Sequence, residues 1–131
     1  MDVVANQQNL KGGFKRHGDI AKSGSDSTHY LLYFYANECG LKYLFLRENR
    51  LQNTGRFAAH SGLSGQKYGH GHDLLKWVGE LKIPNFTYKD ETGHPVPLRQ
   101  AHEALRYGQG IHEDQKKVLK SLFITLATKI Q

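Results

Sequence analysis

The chain has 131 residues, of which 38 % are hydrophobic and 23 % charged, and its formal net charge is +6. That length suits one domain and is too short for two ordinary ones, and the composition excludes an intrinsically disordered chain. The positive balance favours anionic partners (RNA, DNA, nucleotides or acidic protein faces), although solubility alone accounts for it equally well.

Residues 1–13 are polar and close on Gly12-Gly13. A short helix is expected from near Gln8 towards Ala21, with weak periodicity, and Lys11, Lys15, Arg16 and Lys22 give this arm a basic tilt. The fourteen glycines fall mainly outside the apolar runs and read as loop residues. Ser23 to Thr28 is small and polar, which suits a loop and a helix N-cap.

Tyr30 to Arg47 is the strongest predicted element. It is long for a strand and lacks strand alternation. As a helix it is apolar nearly all round, through Leu31, Leu32, Phe34, Tyr35, Cys39, Leu41, Leu44 and Phe45. Such a helix must be covered by several neighbours. Glu38 and Lys42 are four apart and can pair on one face. Gly40 between them costs about 1 kcal/mol against alanine, which close packing can offset. Tyr35, Tyr43 and Phe45 read as core rather than as platforms for bases. The apolar stretch Tyr30 to Phe45 is broken by Asn37, Glu38 and Lys42, and falls short of the ~20 residues a membrane span needs. Cys39 is the only cysteine, so an intrachain disulfide and a cysteine zinc knuckle are excluded. A reducing compartment is the natural reading, and no signal peptide begins at the polar N-terminus. A cytoplasmic protein with no membrane contact is expected.

Residues 49–71 contain Gly55, Gly62, Gly65, Gly69 and Gly71 with Arg50, Arg56 and Lys67, and no acidic residue. They are expected to form a long, flexible, basic loop, either functional or inert. Within it Tyr68 is the better candidate for stacking on a base, and equally a loop anchor. His72 to Lys82 is a short amphipathic pattern, with Leu74, Leu75, Val78 and Leu81 on one stripe, Trp77 beside it and Pro84 as its stop. Residues 85–97 read as loop. Leu98 to Tyr107 is a further short helix, broken by Gly108 and Gly110. The last helix starts at Ile111 or His112 and ends at Ile130, burying Val118, Leu119, Leu122, Phe123, Leu126 and Ile130. Glu113 and Asp114 open it and lysines follow, as the helix dipole favours. The sum is an all-α, four- to five-helix up-and-down bundle, a single domain over 1–131.

The chain has no phosphate loop, dinucleotide fingerprint or His-Glu-x-x-His motif, so no cofactor is expected. His70, His72 and Asp73 are metal-binding residue types, but His72-Asp73 sits where a helix begins and reads as a cap or first-turn acid, so no metal site is assigned. His102 and Arg106 lie four apart on one predicted helix face, with His112 beyond. Cleaving RNA without metal requires a proton carrier, for which histidine suits neutral pH, and a fixed cation on the phosphate, which arginine supplies. Arg106 and His112 fit those two roles. They equally fit a structural salt bridge and an exposed first-turn residue.

The order of these features resembles the HEPN superfamily, small helical bundles of prokaryotic toxins, defence systems and nucleotidyltransferase partners. The resemblance rests on the stretch Asn37 to Leu44, on His72-Asp73-Leu74 and on Arg106-Tyr107, and spans about residues 28–130. It implies a homodimer, and structural roles for Glu38, Lys42, His72, Asp73 and Tyr107. Ribonuclease members carry an arginine followed after four to six residues by a histidine, and here five residues separate Arg106 from His112. Tyr107 and the intervening Gly108 and Gly110 depart from the nuclease pattern and resemble the non-nuclease branch. The resemblance therefore implies an accessory domain that binds a partner protein, a nucleotide or nucleic acid in phage defence or a toxin–antitoxin pair. Arg50, Arg56, Lys67, Tyr68 and His102 are its candidate anion contacts. The alternatives are a metal-independent endoribonuclease and a structural homodimer whose tyrosine-rich helix forms the interface.

Overall fold

Asn6 starts the first helix. Its side chain accepts the Asn9 backbone N–H at 2.8 Å, and the Asn9 side chain accepts the Asn6 N–H at 3.1 Å. These two bonds satisfy donors that a helix start otherwise leaves orphaned. The computed structural model describes residues 5–54, 98 and 101–130, with 74, 78 and 81; the side chain of His102 lies outside that set. Helix α1 runs from Gln7 to Ala21 and buries Leu10, Gly13, Phe14, Gly18 and Ala21.

The expectation that glycines sit in loops is corrected here. Gly12, Gly13 and Gly18 lie inside α1, and two of them face the core. They are points of close approach. A Cβ on Gly13 would sit 2.9 Å from Cys39 Sγ, and one on Gly18 only 2.4 Å from Phe123 Cζ.

Helix α2 spans Ser27–Glu48, so it begins three residues before the apolar run does. Asp26 caps it, accepting the His29 N–H at 3.1 Å, with His29 Nδ1 at 2.6 Å from the same oxygen. The His29 backbone N–H, and after it the His29 ring, hold the Asp26 carboxyl below the usual carboxylate value. α2 is the central element. Tyr30, Tyr33, Phe34, Leu41, Tyr43, Leu44, Phe45 and Leu46 are buried, while Leu31, Leu32, Tyr35 and Cys39 are half-buried against the same core. Lys42 Nζ meets Glu38 Oε1 at 3.1 Å, the pairing their spacing predicts. Gly40 packs closely, as expected: a Cβ there would stand 2.8 Å from Phe14 and 3.2 Å from both Leu126 and Ile130.

The short helix α3 covers Ala101–Arg106, and α4 covers Glu113–Ile130. The pattern Leu98 to Tyr107 overstates α3 at both ends. Leu98 is buried ahead of the helix, where its carbonyl accepts the Ala101 N–H at 3.1 Å. Gly108, at φ 74°, ends it: the Gly108 N–H reaches Leu105 O and the Gln109 N–H reaches Ala104 O. That pairing is a Schellman closure, which favours a residue without a Cβ. In α4 the six predicted stripe residues, Val118, Leu119, Leu122, Phe123, Leu126 and Ile130, are the buried ones. Leu74, Val78 and Leu81 are helical, and the first two are buried. The remainder of the predicted helix His72–Lys82 lies outside the described residues.

Directions follow from who meets whom. His17 lies beside Tyr35 and Lys11 over Tyr43, so α1 is antiparallel to α2. Lys116 lies over Tyr30, Asn37 bonds to Leu119 and Arg47 to Lys129, so α4 runs parallel to α2. The architecture is all-helical, and among the described residues it contains no strand. One isolated antiparallel bridge joins Asn6 to Asn53. Beside it Ala5 and Thr54 exchange bonds: the Thr54 N–H donates to Ala5 O at 2.9 Å, and the Ala5 N–H to Thr54 Oγ1 at 3.0 Å. The first six residues of the predicted 49–71 loop are therefore tied down, and 55–71 lie outside the described residues.

Candidate functional site

Arg106, Tyr107 and His112 lie on or beside the connection between α3 and α4, and all three are exposed, Tyr107 at 67 %. The Arg106 guanidinium lies 5.7 Å from the Tyr107 ring centroid. A cation over a ring face is held by the ring quadrupole. His112 occupies the position just before α4. Its N–H donates to Gln115 Oε1 at 2.9 Å, and its Nδ1 accepts the Asp114 N–H at 3.2 Å. This is a reciprocal cap in which an imidazole takes the place of a serine or threonine hydroxyl. Accepting at Nδ1 places the proton of the neutral ring on Nε2. Asp114 Oδ2 lies 3.5 Å from the same Nδ1.

Arg50 follows α2 with φ 55° and is exposed. Arg56, Lys67, Tyr68, His70, His72 and Asp73 fall outside the described residues, and of His102 only the helical backbone is described. Among the described residues, no group of three or more histidine, cysteine, aspartate or glutamate side chains could hold a metal ion. No helix among them is long and apolar enough to cross a membrane. Tyr30, Tyr33 and Tyr43 are buried within the chain itself, and Tyr35 is half-buried.

A second constellation was only half visible in sequence. Tyr43 is 8 % exposed, and two cations from different helices lie over its ring, Lys11 at 5.9 Å and Arg47 at 5.5 Å. Arg47 also reaches the Lys129 carbonyl at 3.4 Å, at the C-terminal end of α4. At the opposite end of α1, Lys22 lies over the Phe123 ring at 5.7 Å. The basic tilt of α1 is plain in its sequence; that Arg47 of α2 joins it emerges only from helix packing.

Elsewhere on α1, Cys39 lies against Gly13. Burial, and then the Glu38 carboxylate, push its thiol up to about 11. Burial, and then Arg16, lower the His17 pKa. With so little thiolate, Cys39 is expected to react with iodoacetamide at pH 7.5 about a hundredfold more slowly than an unperturbed thiol. Mass spectrometry of a time course checks this. Labelling at the rate of a free thiol would contradict the packing of Gly13 on Cys39.

No family model, no curated protein and no solved structure matches the chain.

Proposed function

We propose that the chain is an accessory, HEPN-like binding domain that contacts nucleic acid without cutting it, in a prokaryotic defence or toxin–antitoxin setting. The observation that supports this reading best is the placement of His112. A general base in RNA cleavage needs a ring nitrogen with a free lone pair facing the ribose hydroxyl. In His112 the Nδ1 lone pair is engaged by the Asp114 N–H, and the neutral ring carries its proton on the outward nitrogen. The side chain is 74 % exposed. Arg106 rests on the ring of Tyr107. The net charge of +6 supplies the attraction to phosphate.

The test is incubation of the purified protein with varied RNAs in EDTA, beside the double variant Arg106→Ala, His112→Ala. Neither protein is expected to cleave. Cleavage by the wild type, lost in a variant that keeps its helical circular dichroism, would replace this reading with the metal-independent endoribonuclease.

A further inference from the structure

We propose that the face built by Lys11 and Lys15 of α1, Lys22 at its C-cap and Arg47 of α2 is a track for a nucleic-acid phosphate backbone. The inference deepens the nucleic-acid-binding reading above and rests on it.

At 100° per residue, positions 11, 15 and 22 fall within about 40° of one another on α1, and they span about 16 Å along its axis. One strand of a stacked nucleic acid carries a phosphate every ~3.4 Å, so that length matches about five phosphates. Arg47 lengthens the row past Lys11, because both lie over the same Tyr43 ring. The row is anchored at its two ends on rings that belong to the core, Tyr43 and Phe123. Their stems lie on apolar surface and their charged heads remain in water, as amphipathic side chains favour. Among the described residues Lys11, Lys15 and Arg47 have no carboxylate partner. Lys22 has Asp19 at 3.6 Å, with both side chains more than 60 % exposed, so that pair is weak and easily exchanged for a phosphate. Arg47 spends part of its guanidinium on the Lys129 carbonyl, which leaves further N–H donors of its five-donor fork.

The chemistry of the face selects the partner. The large exposed apolar residues among those described are Ile20, Tyr107 and Ile124. Ile20 lies about 140–180° around α1 from the lysines, and the other two are on α4 or beside α3. A protein interface of ordinary stability has an apolar or aromatic centre, and a helix lying on a membrane inserts an apolar face. Among the described residues, this face has neither. A row of cations with no apolar centre suits sequence-independent contact with phosphates.

The experiment is fluorescence anisotropy of labelled single-stranded RNA and DNA oligonucleotides, titrated with protein over a range of KCl concentrations. Lys11→Gln, Lys15→Gln is compared with Lys117→Gln, Lys120→Gln, which removes equal charge from exposed positions of α4. The first variant is expected to weaken binding about tenfold at low salt and to flatten the salt slope by about 1.4, at ~0.7 for each lost phosphate contact on a single strand. The second is expected to bind within about threefold of wild type. Equal weakening by both variants, or none by the first, overturns the track while the nucleic-acid reading stands. No binding by the wild type overturns both. Displacement of the oligonucleotide by polyglutamate at equal charge concentration would transfer the face to an acidic protein and overturn the phosphate assignment. Circular dichroism of each variant confirms that helix content is unchanged.

Discussion

Asn37→Asp is expected to leave the fold near wild-type stability at pH 4 and to cost about 4 kcal/mol by pH 7. Asn37 is fully buried, and its Nδ2 donates to the Leu119 carbonyl at 2.9 Å, bonding α2 to α4. Its Oδ1 has no hydrogen-bond partner among the described residues. Aspartate has nearly the same shape. Protonated, it still offers one O–H to the Leu119 carbonyl; ionised, it faces that carbonyl with negative charge. Burying an unpaired carboxylate costs more than a domain's marginal stability allows, so the folded state holds the proton. The folded-state pKa is thereby raised above the unfolded value of ~3.9. Below that value both states are protonated and the full stability remains. As pH rises towards the folded pKa the unfolded state alone ionises, and stability falls by about 1.4 kcal/mol per unit. Urea titrations of variant and wild type at pH 4, 5.5 and 7 give the difference. A difference independent of pH would mean that position 37 is solvated. Asn37→Leu provides the control: it removes the orphaned oxygen, Leu119 keeps its own helical bond, and the change should stay within about 1.5 kcal/mol.

Substituting two glycines of α1 by alanine should shift stability in opposite directions. Gly12→Ala is expected to gain about 0.5–1 kcal/mol and Gly18→Ala to lose about 1–2 kcal/mol. Both gain the same helix propensity, so the difference comes from packing. A Cβ on Gly12 meets only Arg16 Nη1 at 3.0 Å, the far end of a flexible, exposed side chain. A Cβ on Gly18 stands 2.4 and 2.5 Å from two atoms of the Phe123 ring. That ring cannot retreat freely. It stacks on Phe14 at 4.9 Å and meets Tyr33 edge-on at 5.6 Å. Moving it disturbs α1, α2 and α4 together. Denaturation midpoints of the two variants decide the matter, and equal shifts would contradict the close approach of α1 to α4.

Much of this fold is legible in the sequence where side-chain periodicity is strong. The stripe of α4 is complete, and α2 reads as a helix because no strand carries eighteen such residues without alternation. The pairing of Glu38 with Lys42 and the tight seat of Gly40 follow from spacing alone. What sequence does not carry is the identity of neighbours. Gly12, Gly13 and Gly18 look like one class of helix breaker, yet two of them let other helices approach and the third, half-buried, lies only under the Arg16 side chain of its own helix. Asn37 reads as an interruption of an apolar run, although a lone amide on a helix buried all round is itself the mark of a buried polar contact. His112 reads as a proton carrier or as a first-turn residue. Its role as a cap depends on Asp114 and Gln115 at helix positions whose register periodicity fixes only to within a residue or two.

The bonds between Ala5 and Thr54 give the α1–α2 pair a property beyond holding two chain segments together. The pair is joined covalently at one end by residues 22–26 and by hydrogen bonds at the other, where the chain both enters α1 and leaves α2. A closed hairpin of this kind keeps its geometry whatever length of chain departs from Thr54. The hairpin thus holds the surface of α1 in form through its own two closed ends.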